Sequence, residues 1–108
     1  MKKAEQFIIN EYVEEAYHYA IEELSKISAK DIAKSFHTLN KCQAEFCVTD
    51  NFIILKSYRS IVACIDMCNN VGFDFLRMVY GYTRTSAQHI SKFFKQAQIE
   101  KVYTWKAI

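Results

Sequence analysis

The run Ser60-Ile61-Val62-Ala63-Cys64-Ile65-Asp66-Met67 is apolar on both sides of an extended chain. Side chains alternate across a strand, so Ile61, Ala63, Ile65 and Met67 share one face and Val62 and Cys64 the other. A strand with two apolar faces belongs in the middle of a sheet, with helices or a partner over its second face. Its neighbours read the same way. Residues 44–49, 52–58 and 71–80 are rich in β-branched and aromatic side chains, and Asp50-Asn51 and Cys68-Asn69-Asn70 mark turns between them. Connections this short imply antiparallel pairing.

Helical periodicity brackets these strands. Phe7, Ile8, Tyr12, Val13, Ala16, Tyr17, Ala20, Ile21 and Leu24 recur at three- and four-residue spacing, which predicts one helix over 4–25. Glu11, Glu14, Glu15, Glu22 and Glu23 fall largely on its other side. Ser28 with Asp31 starts a capping pattern, and Ile32, Ala33, Phe36 and Leu39 predict a second helix over 29–39. Ile90, Phe93, Phe94 and Ala97 predict a C-terminal helix over 86–98, with Thr85 and Gln88 as its capping box. The expected fold is a single α+β domain spanning 1–108. Residues 1–40 form a helical part with two N-terminal helices. Residues 41–108 form a four-stranded antiparallel sheet and one helix, and the β-prone tail at 101–105 is a candidate fifth strand on the edge.

Charge is divided along the chain. Residues 1–50 carry six lysines against nine acids, and residues 51–108 carry eight Lys/Arg against three acids, for a formal net charge of +2. A DNA mimic would be acidic throughout, so the charge balance argues against that class; the basic second half mildly favours nucleic acid. Met1-Lys2-Lys3 is followed by Ala4-Glu5-Gln6, where a secretory leader would turn apolar. The apolar runs at 52–55 and 61–65 are too short to span a bilayer. A cytoplasmic protein without a membrane partner is expected. Cys42, Cys47, Cys64 and Cys68 lack the paired spacing of a zinc site and read as reduced structural thiols. No metal and no cofactor are expected.

Tyr82-Thr83-Arg84-Thr85-Ser86-Ala87-Gln88-His89 gathers an aromatic, a guanidinium, hydroxyls and an imidazole at a helix start. Arg84, Thr85, Ser86 and His89 have the groups for a small anion site; helix capping alone also accounts for the hydroxyls. Tyr58, Tyr80, Tyr82, Tyr103 and Trp105, with Arg59, Arg77 and Lys101, suit an aromatic-basic surface for bases or for a protein, or half-buried sheet. The candidate binding residues are Tyr58, Arg59, Tyr82, Arg84, Thr85, Ser86, His89 and Lys92. Glu15 and His18 stand at i, i+3, but a di-metal bundle needs two such pairs and the sequence has one. There is no Gly-rich phosphate loop, no His-Glu-x-x-His and no Gly-x-Ser-x-Gly, so no catalytic residues are expected.

Ser57-Tyr58-Arg59-Ser60-Ile61-Val62-Ala63, followed by Tyr82-Thr83-Arg84-Thr85-Ser86-Ala87-Gln88-His89-Ile90-Ser91-Lys92-Phe93, resembles a small protein family of phages and mobile elements of Gram-positive bacteria. Ser60 stands where that family usually has threonine, and Gln88 where it usually has lysine. The resemblant block, 57–94, is roughly a third of the chain and excludes the N-terminal helices. The family has no established activity, so the resemblance implies a genomic context. Together with small size and missing catalytic motifs, it gives the expectation of a non-enzymatic accessory protein that binds a host protein, such as an anti-defence inhibitor of a CRISPR effector. The alternatives are a nucleic-acid-binding regulator using the basic half, and a protein that sequesters a nucleotide or other small ligand. Self-association through helix one or the final strand is compatible with each.

Overall fold

The computed structural model describes residues 5–7, 10–27, 31, 35–39, 44–79 and 83–105. In chain order they form β1 (Glu5–Phe7), α1 (Asn10–Ser25), β2 (Phe36–Thr38), β3 (Ala44–Val48), β4 (Phe52–Ser57), β5 (Ser60–Asp66), β6 (Val71–Asp74), α2 (Leu76–Val79), α3 (Arg84–Gln96) and β7 (Lys101–Thr104). The strands make one mixed sheet of seven, in the order β1-β7-β6-β5-β4-β3-β2. As its two apolar faces require, β5 sits in the interior. Ile54 of β4 and Cys64 of β5 face α1, whereas Leu55 and Ala63, their sequence neighbours, face α3. The helices therefore cover opposite faces of the sheet.

An all-antiparallel sheet of four or five strands with two N-terminal helices is not what forms. From β2 to β6 the short turns do give antiparallel ladders. The chain then leaves the sheet through α2 and α3 and returns as β7, parallel to β6, because a helical crossover brings a strand back in the same direction. β7 is not the edge: β1 pairs with it in parallel from outside. Of the second expected helix, Phe36–Thr38 is instead a strand paired with Glu45–Cys47. Its apolar spacing fits a helix, but Phe36 and Thr38 are also the β-favouring types that a sheet edge accepts. Asp31 and Ser35 are helical, with Ser35 Oγ donating to the Asp31 carbonyl, and 28–30 and 32–34 lie outside the described residues.

The expected fourth strand stops early. Asp74 Oδ1 accepts from the Leu76 N–H at 2.9 Å, which starts the helical turn of α2 in place of further ladder. In β5 the register with β4 slips by one between Leu55 and Lys56, so Val62 has no partner across the pair. Its carbonyl instead accepts from Phe75 N–H at 2.8 Å, tying the bulge to the start of α2.

α3 begins two residues earlier than expected and has a different cap. Thr83, not Thr85, holds the extended N-cap geometry and accepts from the Ser86 N–H at 3.3 Å. The helix ends in a Schellman pattern, with Gln98 left-handed and Ile99 N–H donating to the Phe94 carbonyl at 2.9 Å. On its inner face Ile90, Phe93 and Phe94 pack on Leu55, Ala63 and Val102. Gly72 makes the closest approach possible, since a Cβ there would lie 2.6 Å from the Phe94 ring.

Candidate binding site at the β4–β5 hairpin

Tyr58 and Arg59 form the two-residue turn between β4 and β5. Turns of this length favour glycine, asparagine or aspartate where φ is positive. Here that position holds Tyr58, with φ 58°. A tyrosine in left-handed backbone costs about 1–2 kcal/mol. Its side chain is 46% exposed, so burial does not supply the full compensation.

What holds the turn lies directly beneath it. Ser57, the last residue of β4, is fully buried on the α3 side. Its Oγ is 2.9 Å from Nδ1 of His89 and 3.1 Å from Oγ of Ser86. Ser86 and His89 are three residues apart and project from one face of α3. The three polar groups thus satisfy one another in an otherwise apolar layer, and no buried side-chain nitrogen or oxygen among the described residues lacks a partner. Burial lowers the His89 pKa, and the Lys92 charge one turn on lowers it further, so the ring is neutral at pH 7. The Tyr58 ring lies over this cluster, its centroid 6.0 Å from that of His89.

The expected site residues separate into three groups. Tyr58, Ser86 and His89 come together through Ser57, which sequence reasoning did not single out. The signal for it was a serine at the end of the Ile53, Leu55, Ser57 face, where an apolar residue would continue the pattern. Arg59, Arg84, Thr85 and Lys92 are exposed around the turn and along α3. Thr85 is free of the capping role expected of it. Tyr82 lies outside the described residues, as do Tyr80 and Cys42. The broader aromatic surface does not form as one patch: Tyr103 and Trp105 pack with Phe73 on the α1 side of the sheet, away from Tyr58.

Ser57 Oγ against His89 resembles a nucleophile and its base, but Ser57 and Ser86 have no exposed surface through which a substrate could reach them. The arrangement is a polar clamp. Cys64 lies on the α1 side of the sheet and cannot pair with His89. Burial pushes the Cys47 and Cys64 thiols up, Asp66 adding to the effect on Cys64, so both stay protonated. Cys68 is exposed and unbonded to sulfur. Among the described residues no three metal-ligating side chains cluster, and no helix is long and apolar enough to cross a membrane. No family model, curated protein or solved structure matches the chain.

Proposed function

We propose that this chain is a non-enzymatic accessory protein of a phage or mobile element that docks on a host protein, as an anti-defence inhibitor would. The observation that carries the docking reading is Tyr58: an aromatic half exposed on a strained turn, clamped from below by Ser57, Ser86 and His89. Strain retained in native backbone is a pointer to function when neighbouring structure is arranged to hold it. Tyrosine and arginine are the residues that most often dominate protein interfaces, and a rigid tyrosine loses little entropy on binding. Tyr58 is the anchor of the docking surface, and Arg59 beside it in the turn and Arg84 at the exposed start of α3 recognise carboxylates of the partner. The phage setting is supported by the sequence resemblance, and the inhibitor role follows from that setting.

Capture from nuclease-treated bacterial lysate tests this reading. A stoichiometric host protein retained by the wild-type chain and lost with Tyr58→Ala or Arg84→Ala is the expected result. Retention by both variants, or no retained protein, overturns it. One observation favours a nucleic-acid reading as the second choice. The outer face of α3 carries Arg84, Lys92 and Lys95, and the helix has no acid. Phosphate contacts would show as affinity that falls steeply with salt.

A further inference from the structure

We propose that copies of this chain associate head to tail, the outer face of α3 in one copy docking antiparallel on the outer face of α1 in the next. Each helix buries one side and carries charge of a single sign on the other. α1 buries Val13, Ala16, Ala20 and Leu24, and it contains five glutamates but no lysine or arginine. α3 buries Ser86, His89, Ile90, Phe93 and Phe94, and it contains Arg84, Lys92 and Lys95 but no acid. The two helices cover opposite faces of the sheet, so these surfaces of opposite sign point away from each other.

The charges match in position as well as in sign. A helix turns by about 100° per residue. Glu11, Glu15 and Glu22 are exposed and lie within about 40° of one another, opposite the buried stripe. Tyr12, edge-on to Tyr103, and Ile21 stand on the two flanks of this line, 48% and 40% exposed, although their spacing assigns them to the buried stripe. Arg84, Lys92 and Lys95 are exposed within about 80° on the outer side of α3. From the start of α1 the three carboxylates are separated by four and then seven residues; from the end of α3 the three cations are separated by three and then eight. Laid antiparallel, Lys95 meets Glu11, Lys92 meets Glu15 and Arg84 meets Glu22, each within one residue's rise of about 1.5 Å. In a parallel alignment Lys92 would fall at Tyr19. None of the six makes an ion pair among the described residues, where the pairs are Lys26 with Glu23 and Lys56 with Glu45.

This arrangement favours a second copy in one particular geometry. Two α1 faces repel each other, and so do two α3 faces, which disfavours two-fold pairing through either helix. One partner cannot reach both helices at once, because they face opposite ways. The contact is therefore heterologous, and every added copy leaves a free α1 at one end and a free α3 at the other. Exposed ion pairs are individually weak and are screened by salt, so the assembly depends on all three acting together at low ionic strength. The inference does not rest on the host-docking reading. Arg84 serves in both, so the test uses the pair of Glu15 and Lys92.

Sedimentation velocity of the purified, nuclease-treated chain is measured over a range of concentrations at about 50 mM and about 500 mM salt. At the lower salt the average mass is expected to rise with concentration by stepwise addition, with no end point at the dimer. At the higher salt the chain should be monomeric. Glu15→Lys and Lys92→Glu should each weaken association by about tenfold or more. The chain that carries both substitutions has the net charge of the wild type and should recover most of the lost affinity. Both positions are exposed and inside their helices, so circular dichroism should be unchanged in all three variants. A monomer at every concentration overturns the proposal, as does a distribution that stops at the dimer. Association that salt or Glu15→Lys leaves unchanged also overturns it, and so does a doubly substituted chain no better than the single variants. Association seen only before nuclease treatment would overturn it by giving the α3 face to nucleic acid.

Discussion

The two faces of the sheet are packed by different rules. On the α1 side Val13, Ala16, Ala20 and Leu24 meet Cys47, Ile54, Cys64, Val71, Phe73 and Phe75, a layer held by apolar contact. On the α3 side the comparable apolar layer of Leu55, Ala63, Ile90, Phe93 and Phe94 ends in the clamp of Ser57, Ser86 and His89. Apolar burial is non-directional, so it attaches α1 without dictating where each atom goes. Hydrogen bonds of about 3 Å between buried groups tolerate no slip, because any unpaired member is costly. The α3 side is therefore specified more tightly, and its polar end lies under the turn that carries Tyr58.

Substitutions on each face probe this contrast. The largest effect belongs to the apolar layer: Phe75→Ala removes a fully buried ring and should cost about 3–5 kcal/mol in chemical denaturation. Next come two mirrored changes. Ser57→Ala strands His89 Nδ1 and Ser86 Oγ and should cost about 1–3 kcal/mol. Cys64→Ser puts a hydroxyl without a partner into the α1 layer and should cost a similar amount. If Ser57→Ala is neutral while Cys64→Ser is not, the two faces follow one rule and the contrast fails. Gly72→Ala crowds the Phe94 ring and should cost about 1–3 kcal/mol, which Phe94→Leu should partly relieve in a double-mutant cycle.

The smallest effect is on pH dependence. The folded pKa of His89 lies below its ordinary 6.5, so the unfolded chain binds the proton more readily. The His89 contribution is fully present above pH 6.5. It is lost as the pH falls from there to the lower folded value, with no further loss beneath it. Thermal melts across this window should show the decline in the wild-type chain and a flatter profile in His89→Gln. A wild-type profile as flat as that of His89→Gln would mean that the clamp does not exclude the charged ring.

What was legible in the sequence was what neighbours in sequence decide. β5 declared itself by apolar residues on both faces, the meander by its turn pairs, and α1 by its buried stripe from Asn10 onward, although the helix expected over 4–25 gives way at Glu5–Phe7 to strand β1. The parallel pairs were hidden because Lys101–Thr104 meets β6 and β1 only after a long excursion through two helices, and no local pattern records that return. β2 was hidden because Phe36 served two periods at once. Around the site, the sequence singled out Ser86, His89 and Tyr58 but not Ser57, which joins them across separations of 29 and 32 residues. Three hydroxyl residues at 83, 85 and 86 offered competing caps, and the backbone chose the first. Helical spacing also assigned Tyr12 and Ile21 to the core stripe, where the flanking glutamates could have marked its outer edge.

On the proposed reading, Tyr58 is kept in costly backbone for the sake of a partner. Tyr58→Gly separates that role from a role in the fold, with stability by denaturation and host-protein capture measured on the same preparation. Glycine accepts the left-handed turn, so the variant should be as stable as the wild type or up to about 1 kcal/mol more so, and it should lose the captured protein. A variant that is destabilised, or that still captures the host protein in full, would show that Tyr58 serves the fold and not an interface.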